Sequence, residues 1–175
     1  LRVMADGVQS SMHELQLWLH SVYPRPDDVI GMNKGGTVEV RGLNVTMTAA
    51  DHSAGDWDTA LGLPRYLGEP AGFVVELEDG SRIYHAGDTN VFGDMHIIHE
   101  LYAPDIAMIP IGDVFTMGPD EAAYACKLLK PKVVIPMHFG TFPLLTGTAD
   151  ELRHRVGDLG IDVVEMRPGQ TLDKL

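Results

Sequence analysis

The stretch Tyr84-His85-Ala86-Gly87-Asp88-Thr89 begins in the second of two β-like runs, residues 72–78 and 82–85, which flank the turn Asp79-Gly80. Asp-Gly between apolar runs is a strong signal for a tight hairpin turn, so we predict an antiparallel pair of strands here. The second strand then ends just before Asp88. A carboxylate that follows a strand directly, beside a glycine, is well placed for chemistry at the edge of a sheet. Asp88 is therefore the first candidate functional residue.

Two histidines are placed in the same way as Asp88. His52 follows the β-like run 43–47, and His138 follows the apolar run 133–136. Imidazole nitrogen and carboxylate oxygen are ligands of Zn²⁺, Mn²⁺, Fe²⁺ and Ni²⁺, whereas Mg²⁺ and Ca²⁺ prefer shells of oxygen atoms. The three strand ends therefore predict a zinc or transition-metal site. A metal ion there would lower the pKa of bound water toward about 7 and make hydroxide available.

Each of these residues also has a simpler interpretation. His52 alone fits a loop histidine held by hydrogen bonds, and Asp88 alone fits the cap of a following helix. For His138 alone, the two interpretations are equally good. His85 alternates with Tyr84 along its strand, so it either orients a metal ligand or is a hydrogen-bonded core histidine. The joint placement of His52, Asp88 and His138 favours the metal site.

A helix is predicted near the start of the chain. Ser11 and Glu14 fit a capping box, in which a hydroxyl and a carboxylate satisfy the free amides of a helix start. Apolar residues then recur at helical spacing, so we predict a helix over about residues 11–21 that ends before Pro24. The chain starts on Leu rather than Met, and residues 1–3 are typical of the middle of a strand. We therefore expect the chain to begin inside a larger protein.

A hairpin and a long loop are predicted next. Residues 38–40 and 43–47 carry β-branched side chains at alternating positions, which indicates two antiparallel strands. Glycines and prolines break any periodicity between residues 53 and 70, so we predict a long loop after His52. Loops of this length in compact domains are usually functional. Arg65 in this loop pairs either with an anionic substrate group or with a surface carboxylate.

The pattern changes after Thr89 to alternating helices and strands. Two of the apolar runs, residues 106–109 and 133–135, lack alternation, which is typical of strands buried on both faces and covered by helices. The predicted elements are a helix over residues 94–101, a strand over 106–110, a helix over 119–129, a strand over 133–136, a helix over 150–159 and a strand over 161–165.

Composition limits the function classes. The chain has 175 residues, 45% of them hydrophobic, which is enough for one domain with a core. Its 13 basic and 25 acidic residues give a net charge of −12, which disfavours nucleic acid as a partner. The single Cys126 has no partner for an internal disulfide and fits a small buried side chain in a reducing, cytoplasmic setting. No run approaches the roughly 20 apolar residues of a membrane span.

Five blocks of the sequence together resemble a known family. They resemble an uncharacterised group of small metal-dependent hydrolases in the metallo-beta-lactamase superfamily, close to the ascorbate-6-phosphate lactonase type. The resemblance extends in order from about Met12 onward. The blocks are Met32-Asn33-Lys34-Gly35-Gly36-Thr37, Tyr66-Leu67-Gly68-Glu69-Pro70-Ala71-Gly72-Phe73, Tyr84-His85-Ala86-Gly87-Asp88-Thr89, Phe115-Thr116-Met117-Gly118-Pro119 and Ile135-Pro136-Met137-His138-Phe139.

The resemblance implies an α/β fold, an αββα sandwich with its metal centre at one edge between two sheets. Residues 1–175 would form a single domain of this type that lacks its N-terminal strands. The implied cofactors are two divalent metal ions, with Zn²⁺ expected first and Mn²⁺, Fe²⁺ or Ni²⁺ as alternatives. His52 resembles a ligand of the first ion, Asp88 the carboxylate that bridges both, and His138 the histidine of the second. Asp88 and His138 would be catalytic, while His85 and Thr89 would support the ligands or contact the substrate.

Two features differ from the family pattern. The superfamily motif His-x-His-x-Asp-His is absent from this sequence, and the family places it on a segment that would lie before residue 1. Without it each metal keeps one histidine and a share of Asp88, fewer than the three protein ligands of a typical catalytic zinc site. We therefore expect weak metal binding by the chain as given. The second difference is Val114, where several relatives have a polar residue.

Two functions are carried forward from the sequence. The first is a hydrolase whose metal-bound hydroxide attacks an ester, lactone or phosphoester of a small molecule. The second is a non-catalytic remnant that acts as an oligomerisation or binding module, because the main metal motif is absent and strands that would pack on it are uncovered. A homo-oligomer is compatible with either. No membrane association is expected.

Overall fold

The computed structural model describes residues 9–12 and 29–172. Within these residues the chain forms eleven strands and three α-helices. The strands are β1 Gln9–Met12, β2 Val29–Met32, β3 Thr37–Val40, β4 Leu43–Ala49, β5 Gly55–Asp58, β6 Leu63–Tyr66, β7 Ala71–Glu76, β8 Arg82–His85, β9 Ile106–Pro110, β10 Val133–Met137 and β11 Asp162–Val163. The helices are α1 Met95–Tyr102, α2 Pro119–Leu129 and α3 Ala149–Val156, with a 3-10 turn at Gly157–Leu159.

The main sheet has seven strands in the order β11-β10-β9-β8-β7-β4-β3. Strands β3, β4, β7 and β8 pair antiparallel, while β8, β9, β10 and β11 pair parallel. Because β4 and β8 are both antiparallel to β7, they run in the same direction as β9 and β10. The carboxyl ends of β4, β8, β9 and β10 therefore meet at one edge of the sheet, which we call the carboxyl edge. The opposite edge is the amino edge.

One face of the sheet packs on the helices. Val74, Tyr84, Ala107 and Val134 lie in one row across β7, β8, β9 and β10, and each is at most 2% exposed. They join a core with the buried side chains of α1, α2 and α3, such as Leu129. Fully burying a large apolar side chain contributes about 1.5–3 kcal/mol, so this layer is the main stabilising contact of the described chain.

The other face of the sheet is less covered. The row Met47, Phe73, His85, Met108 and Ile135 crosses five strands on this face. Met47 is buried, but the other four are only half-buried in the described structure. The same face carries His85, the last residue of β8.

The ends of the three described helices have clear local causes. Helix α2 starts with Pro119 at its first position and has two acidic residues in its first turn, where the N–H groups are free. Helix α3 begins with a complete capping box between Thr148 and Glu151. The residues after α1 and α2, Ala103 and Lys130, adopt the left-handed conformation and end both helices.

Most of the predicted elements are confirmed, including both hairpins around residues 41–42 and 79–80. The helix predicted over residues 11–21 is wrong at its start, because Ser11 and Met12 belong to β1, which pairs parallel with β2. The rest of that helix, and the strand expected at residues 1–3, lie outside the described residues. The helix predicted over residues 150–159 ends at Val156 and continues as the 3-10 turn.

The long loop predicted over residues 53–70 is also wrong in part. It contains the hairpin β5–β6, whose strands pair antiparallel from Gly55 opposite Tyr66 to Asp58 opposite Leu63. Seven of the eight residues in the two strands are exposed, and Asp58 is half-buried. No side has to be apolar in such a hairpin, so the alternation that reveals a half-buried strand is missing from the sequence. Among the described helices, none has the length and hydropathy needed to cross a membrane.

Candidate functional site

Asp88 lies on a tight loop at the carboxyl edge. Strand β8 ends at His85, and the next residue, Ala86, donates its N–H to the carbonyl oxygen of Met108 at 3.0 Å. Gly87 has φ +67°, and a Cβ there would lie 2.5 Å from the carbonyl oxygen of Ala71. Only glycine fits this approach, and the resulting turn brings the carboxylate of Asp88 to the surface with 53% of its side chain exposed.

His138 faces Asp88 across the carboxyl edge. Its Nε2 lies 3.8 Å from Oδ2 of Asp88, longer than a direct hydrogen bond. Two ligand atoms that share one ion at about 2.0–2.2 Å each are separated by a distance of this order. The Nδ1 atom of His138 is buried and has no hydrogen-bond partner among the described residues. Asp88 and His138 therefore fit as two ligands of one metal ion.

His52 lies on the loop after β4, and its ring is held by backbone carbonyl groups. Nδ1 lies 2.8 Å from the carbonyl oxygen of Ser53, and Nε2 lies 2.9 Å from that of Phe115. A metal ligand needs a nitrogen lone pair directed at the ion, so His52 would have to give up one of these contacts to bind. Within residues 9–12 and 29–172, no group of three His, Cys, Asp or Glu side chains is placed to hold a metal ion.

Thr89 connects the loops that carry Asp88 and His52. Its side chain is fully buried, and its hydroxyl accepts the N–H of Asp51 at 2.8 Å and donates to the carbonyl oxygen of Asn90 at 2.7 Å. The N–H of Asn90 in turn donates to the carbonyl oxygen of Asp51 at 2.8 Å. The hydroxyl is used by these bonds and is out of reach of a substrate, so its geometry fits support of the two loops.

His85 is a neutral histidine on the less covered face of the sheet. The N–H of Gly87 donates to its Nδ1 at 3.1 Å, so this nitrogen is an acceptor and the ring proton sits on Nε2. Burial lowers the pKa of His85 below 6.5, and the nearby charge of Asp88 opposes that shift only in part. His85 therefore braces the turn that presents Asp88, which agrees with a supporting role.

The backbones of the loops after β9 and β10 are in close contact at the site. A Cβ on Gly112 would lie 2.1 Å from the carbonyl oxygen of His138, and one on Gly147 would lie 1.8 Å from that of Ile111. Between them, Asp113 and Val114 adopt left-handed backbone angles, with φ of 66° and 60°. His138 itself has φ 55°. The close backbone contacts at these glycines fix the position of His138. No pattern in the sequence predicts them.

Two aromatic side chains border the same loops and were not predicted as part of the site. Phe115 and Phe142 are 50% and 45% exposed, and their ring centroids lie 6.1 Å apart. Phe115 lies in one of the five sequence blocks that resemble the family, but its contact with His52 through the carbonyl oxygen depends on loop geometry. Arg65, which the sequence left between a substrate contact and a surface pair, forms an ion pair with Asp58.

Comparison with known proteins relates the chain to a protein superfamily. The family model of the beta-lactamase superfamily domain matches residues 5–139. A UPF0173 metal-dependent hydrolase of Roseiflexus castenholzii is 47% identical over 161 residues, which are 91% of this chain and 65% of that protein. A second one, of Rubrobacter xylanophilus, is 52% identical over 143 residues, which are 81% of this chain and 59% of that protein.

A solved structure has the same architecture. Igni18, a metallo hydrolase from the archaeon Ignicoccus hospitalis, matches with a TM-score of 0.78 and 37% sequence identity over 93% of this chain and 66% of its own. The predicted fold class is thereby confirmed as a mixed α/β fold of the metallo-beta-lactamase type. The chain spans less than two thirds of the length of the curated relatives named above.

Proposed function

Because the chain belongs to the beta-lactamase superfamily, we propose that the protein is a metal-dependent hydrolase of a small-molecule ester, lactone or phosphoester. The observation that carries this proposal is the pair Asp88 and His138, which face each other at 3.8 Å where parallel strands end. Both side chains are accessible to solvent, so a substrate can reach them. This position, at the carboxyl ends of strands, is where open α/β sheets bind their ligands.

The residues of the chain have distinct roles in this proposal. When bound, a divalent metal would supply a water molecule of lowered pKa and a Lewis acid that polarises the substrate. Asp88 and His138 would hold the metal, with Zn²⁺ expected first, and the carboxylate of Asp88 would be shared with a second ion. His52 would join them after releasing the carbonyl group of Phe115. Thr89 fixes the loop of Asp88 against the loop of His52, so the ligands keep their relative positions.

The test is metal content and turnover of the purified protein, with Asp88→Ala as the variant. We expect copurified Zn²⁺ or another divalent metal, hydrolysis of at least one member of an ester, lactone and phosphodiester panel, and loss of activity with EDTA that Zn²⁺ restores. Asp88→Ala should lose both metal and activity. Asp94→Ala is the matched control, because Asp94 is an exposed aspartate whose side chain does not cap α1.

A metal-free protein whose activity is unchanged in Asp88→Ala would contradict the proposal. One observation favours the second candidate function, a non-catalytic binding module: the described residues bring together two, not three, candidate ligands. The same experiment separates the two functions, because such a module would show neither stoichiometric metal nor turnover.

The remaining expectations are proposals of the same kind. A net charge of −12 supports a small molecule over nucleic acid as the partner. Burial raises the pKa of the Cys126 thiol to about 12, so the thiol is inert and gives no sign of an oxidising compartment. We propose a cytoplasmic location on that basis. A homo-oligomer is proposed from the half-buried row on the less covered face, and light scattering of the purified protein tests it.

A further inference from the structure

Backbone strain is concentrated at the carboxyl edge. Six non-glycine residues in the described structure have positive φ. Three of them lie at a hairpin turn or directly after a helix, where such angles are ordinary: Arg41, Ala103 and Lys130. The other three belong to the loops after β9 and β10, namely Asp113, Val114 and His138. Strained residues cluster at functional sites, so the loop at residues 113–114 requires an explanation.

Val114 is the most unusual of the three. A β-branched residue at φ 60° is unfavourable, and Val114 is 58% exposed, so little packing compensates for the strain. The turn is held by its backbone and by Asp113, whose Oδ1 accepts the N–H of Val114 at 2.7 Å. The N–H of Phe115 also donates to the carbonyl oxygen of Asp113 at 2.7 Å. The strained turn therefore presents two apolar side chains to solvent.

These side chains belong to an apolar surface beside the candidate ligands. We call Val114, Phe115 and Phe142 the apolar rim. Phe115 is joined to His52 through its carbonyl oxygen at 2.9 Å, and Phe142 follows His138 by four residues and contacts Phe115. All three rim residues are 45–58% exposed. An apolar surface of this kind next to reactive groups contributes binding energy only when an apolar group covers it.

The charges around the rim point to a neutral group. The exposed ionisable side chains that the loops bring to the carboxyl edge include Asp51, Asp88 and Asp113. Among the described cations of the sheet and its loops, Arg82 begins β8 and Lys132 precedes β10 at the amino edge, and Arg65 is paired with Asp58. Lys34 lies beside the carboxyl end of β4, near the β3 end of the strand order and away from the loops after β9 and β10. An anionic substrate group beside the rim would therefore meet carboxylates of the protein.

We propose that the substrate places a neutral apolar group, aromatic or branched aliphatic, against Val114, Phe115 and Phe142. The inference rests on the proposed hydrolase function and names the part of the substrate that the rim recognises. In this arrangement Val114 and the two phenylalanines determine specificity, while Asp88 and His138 hold the metal.

The experiment compares two substrates with the Zn²⁺-loaded protein: methyl phenylacetate and methyl acetate. We expect kcat/KM for methyl phenylacetate to exceed that for methyl acetate about tenfold or more. Phe115→Ala and Phe142→Ala should reduce the preference to about twofold or less. Phe115→Leu should keep part of it. The backbone carbonyl that contacts His52 is retained in every variant of Phe115.

Tyr124→Ala is the matched control, because Tyr124 is an aromatic residue on α2 with 56% exposure. It should leave the preference unchanged. An equal preference in wild type and Phe115→Ala would overturn the inference and leave the hydrolase proposal standing.

If neither substrate is hydrolysed, binding decides the inference separately from the proposed function. Saturation-transfer NMR with phenylacetamide and acetamide measures contact with the rim without turnover. Saturation of phenylacetamide but not acetamide, reduced in Phe115→Ala, supports the inference. Equal or absent saturation for both amides overturns it.

Discussion

The two edges of the main sheet use carboxylates in opposite ways. At the amino edge, Asp105 accepts the N–H of Arg82 at 3.0 Å and the ammonium of Lys132 at 2.8 Å. Arg82 also donates to Glu76 at 2.7 Å. At the carboxyl edge, Asp88 has a histidine at 3.8 Å and remains 53% exposed. The same residue type is therefore fully paired on one edge and available on the other.

The difference shows how one sheet separates stability from chemistry. A carboxylate with two donors joins the starts of β8 and β10 and has little capacity left for a further partner. A carboxylate without close donors contributes little to folding but keeps its oxygen atoms free for a metal ion. Functional sites of this kind are expected to leave the free energy of unfolding unchanged or to lower it. The strained backbone at residues 113–114 and 138 agrees with that expectation.

The largest effect should come from exchanging one carboxylate at each edge for its amide. If the proposed function holds, Asp88→Asn should lower kcat/KM by about 10³-fold or more, because the amide is a poor metal ligand and a bound metal would supply the nucleophile. Asp105→Asn should leave kcat/KM of the folded protein unchanged. Steady-state kinetics on both variants, with metal content measured in parallel, checks the contrast. Similar losses in both variants would mean that the two edges are not functionally distinct.

The stability of the same two variants should show the reverse order. Asp105→Asn should lower the free energy of unfolding by about 1–2 kcal/mol, because one oxygen becomes an NH₂ group that faces the Lys132 ammonium. Asp88→Asn should change it by about 0.5 kcal/mol or less in the metal-free protein. Urea unfolding in the presence of EDTA measures both values. A larger loss for Asp88→Asn would show that its carboxylate is a structural group.

Relieving the strain at the carboxyl edge should stabilise the protein. Val114→Gly should raise the free energy of unfolding by about 1 kcal/mol, because glycine adopts positive φ without steric cost. Thr141→Gly is the control: Thr141 is an exposed β-branched loop residue whose φ is not positive. It should lower stability by about 0.5–1 kcal/mol through chain entropy. Thermal unfolding distinguishes the opposite signs.

The smallest effect concerns acid unfolding. The hydrogen bond from Lys132, followed by that from the N–H of Arg82, lowers the pKa of Asp105 below its ordinary value of 3.8. The unfolded chain therefore takes up this proton first, so the stabilisation is complete above pH 3.8 and is lost as pH falls through the lowered pKa. The stability difference between wild type and Asp105→Asn should shrink between about pH 5 and about pH 2. A stability difference that does not change with pH would contradict the lowered pKa of Asp105.

The fold could be predicted from sequence where burial leaves a pattern. The unbroken apolar runs of β9 and β10 and the Pro119 start of α2 appear in the structure with nearly the predicted bounds. The hairpin β5–β6 could not be predicted, because its residues are exposed and need no alternation. The start of the helix predicted at Ser11 was wrong, because a capping box is only a local signal and β1 pairs with a distant strand.

The site could be predicted only in part for a similar reason. Asp88 and His138 follow strands that the apolar runs in the sequence predict, and the structure brings the two side chains together. The ring of His52 contacts the carbonyl oxygens of Ser53 and of Phe115, 63 residues away. No periodicity in the sequence predicts a contact of this kind. The full ligand set of His52, Asp88 and His138 stays a prediction, as do the supporting roles of His85 and Thr89.

The glycine contacts at the carboxyl edge have a consequence for directed evolution. Since no side chain fits at Gly112 against His138, or at Gly147 against Ile111, the backbones of these two loops cannot be redesigned one at a time. A library that inserts or deletes residues in either loop should yield mostly unfolded clones. New substrate preferences should instead arise by exchanging side chains on an unchanged loop path, which makes position 114 a natural first choice for saturation mutagenesis.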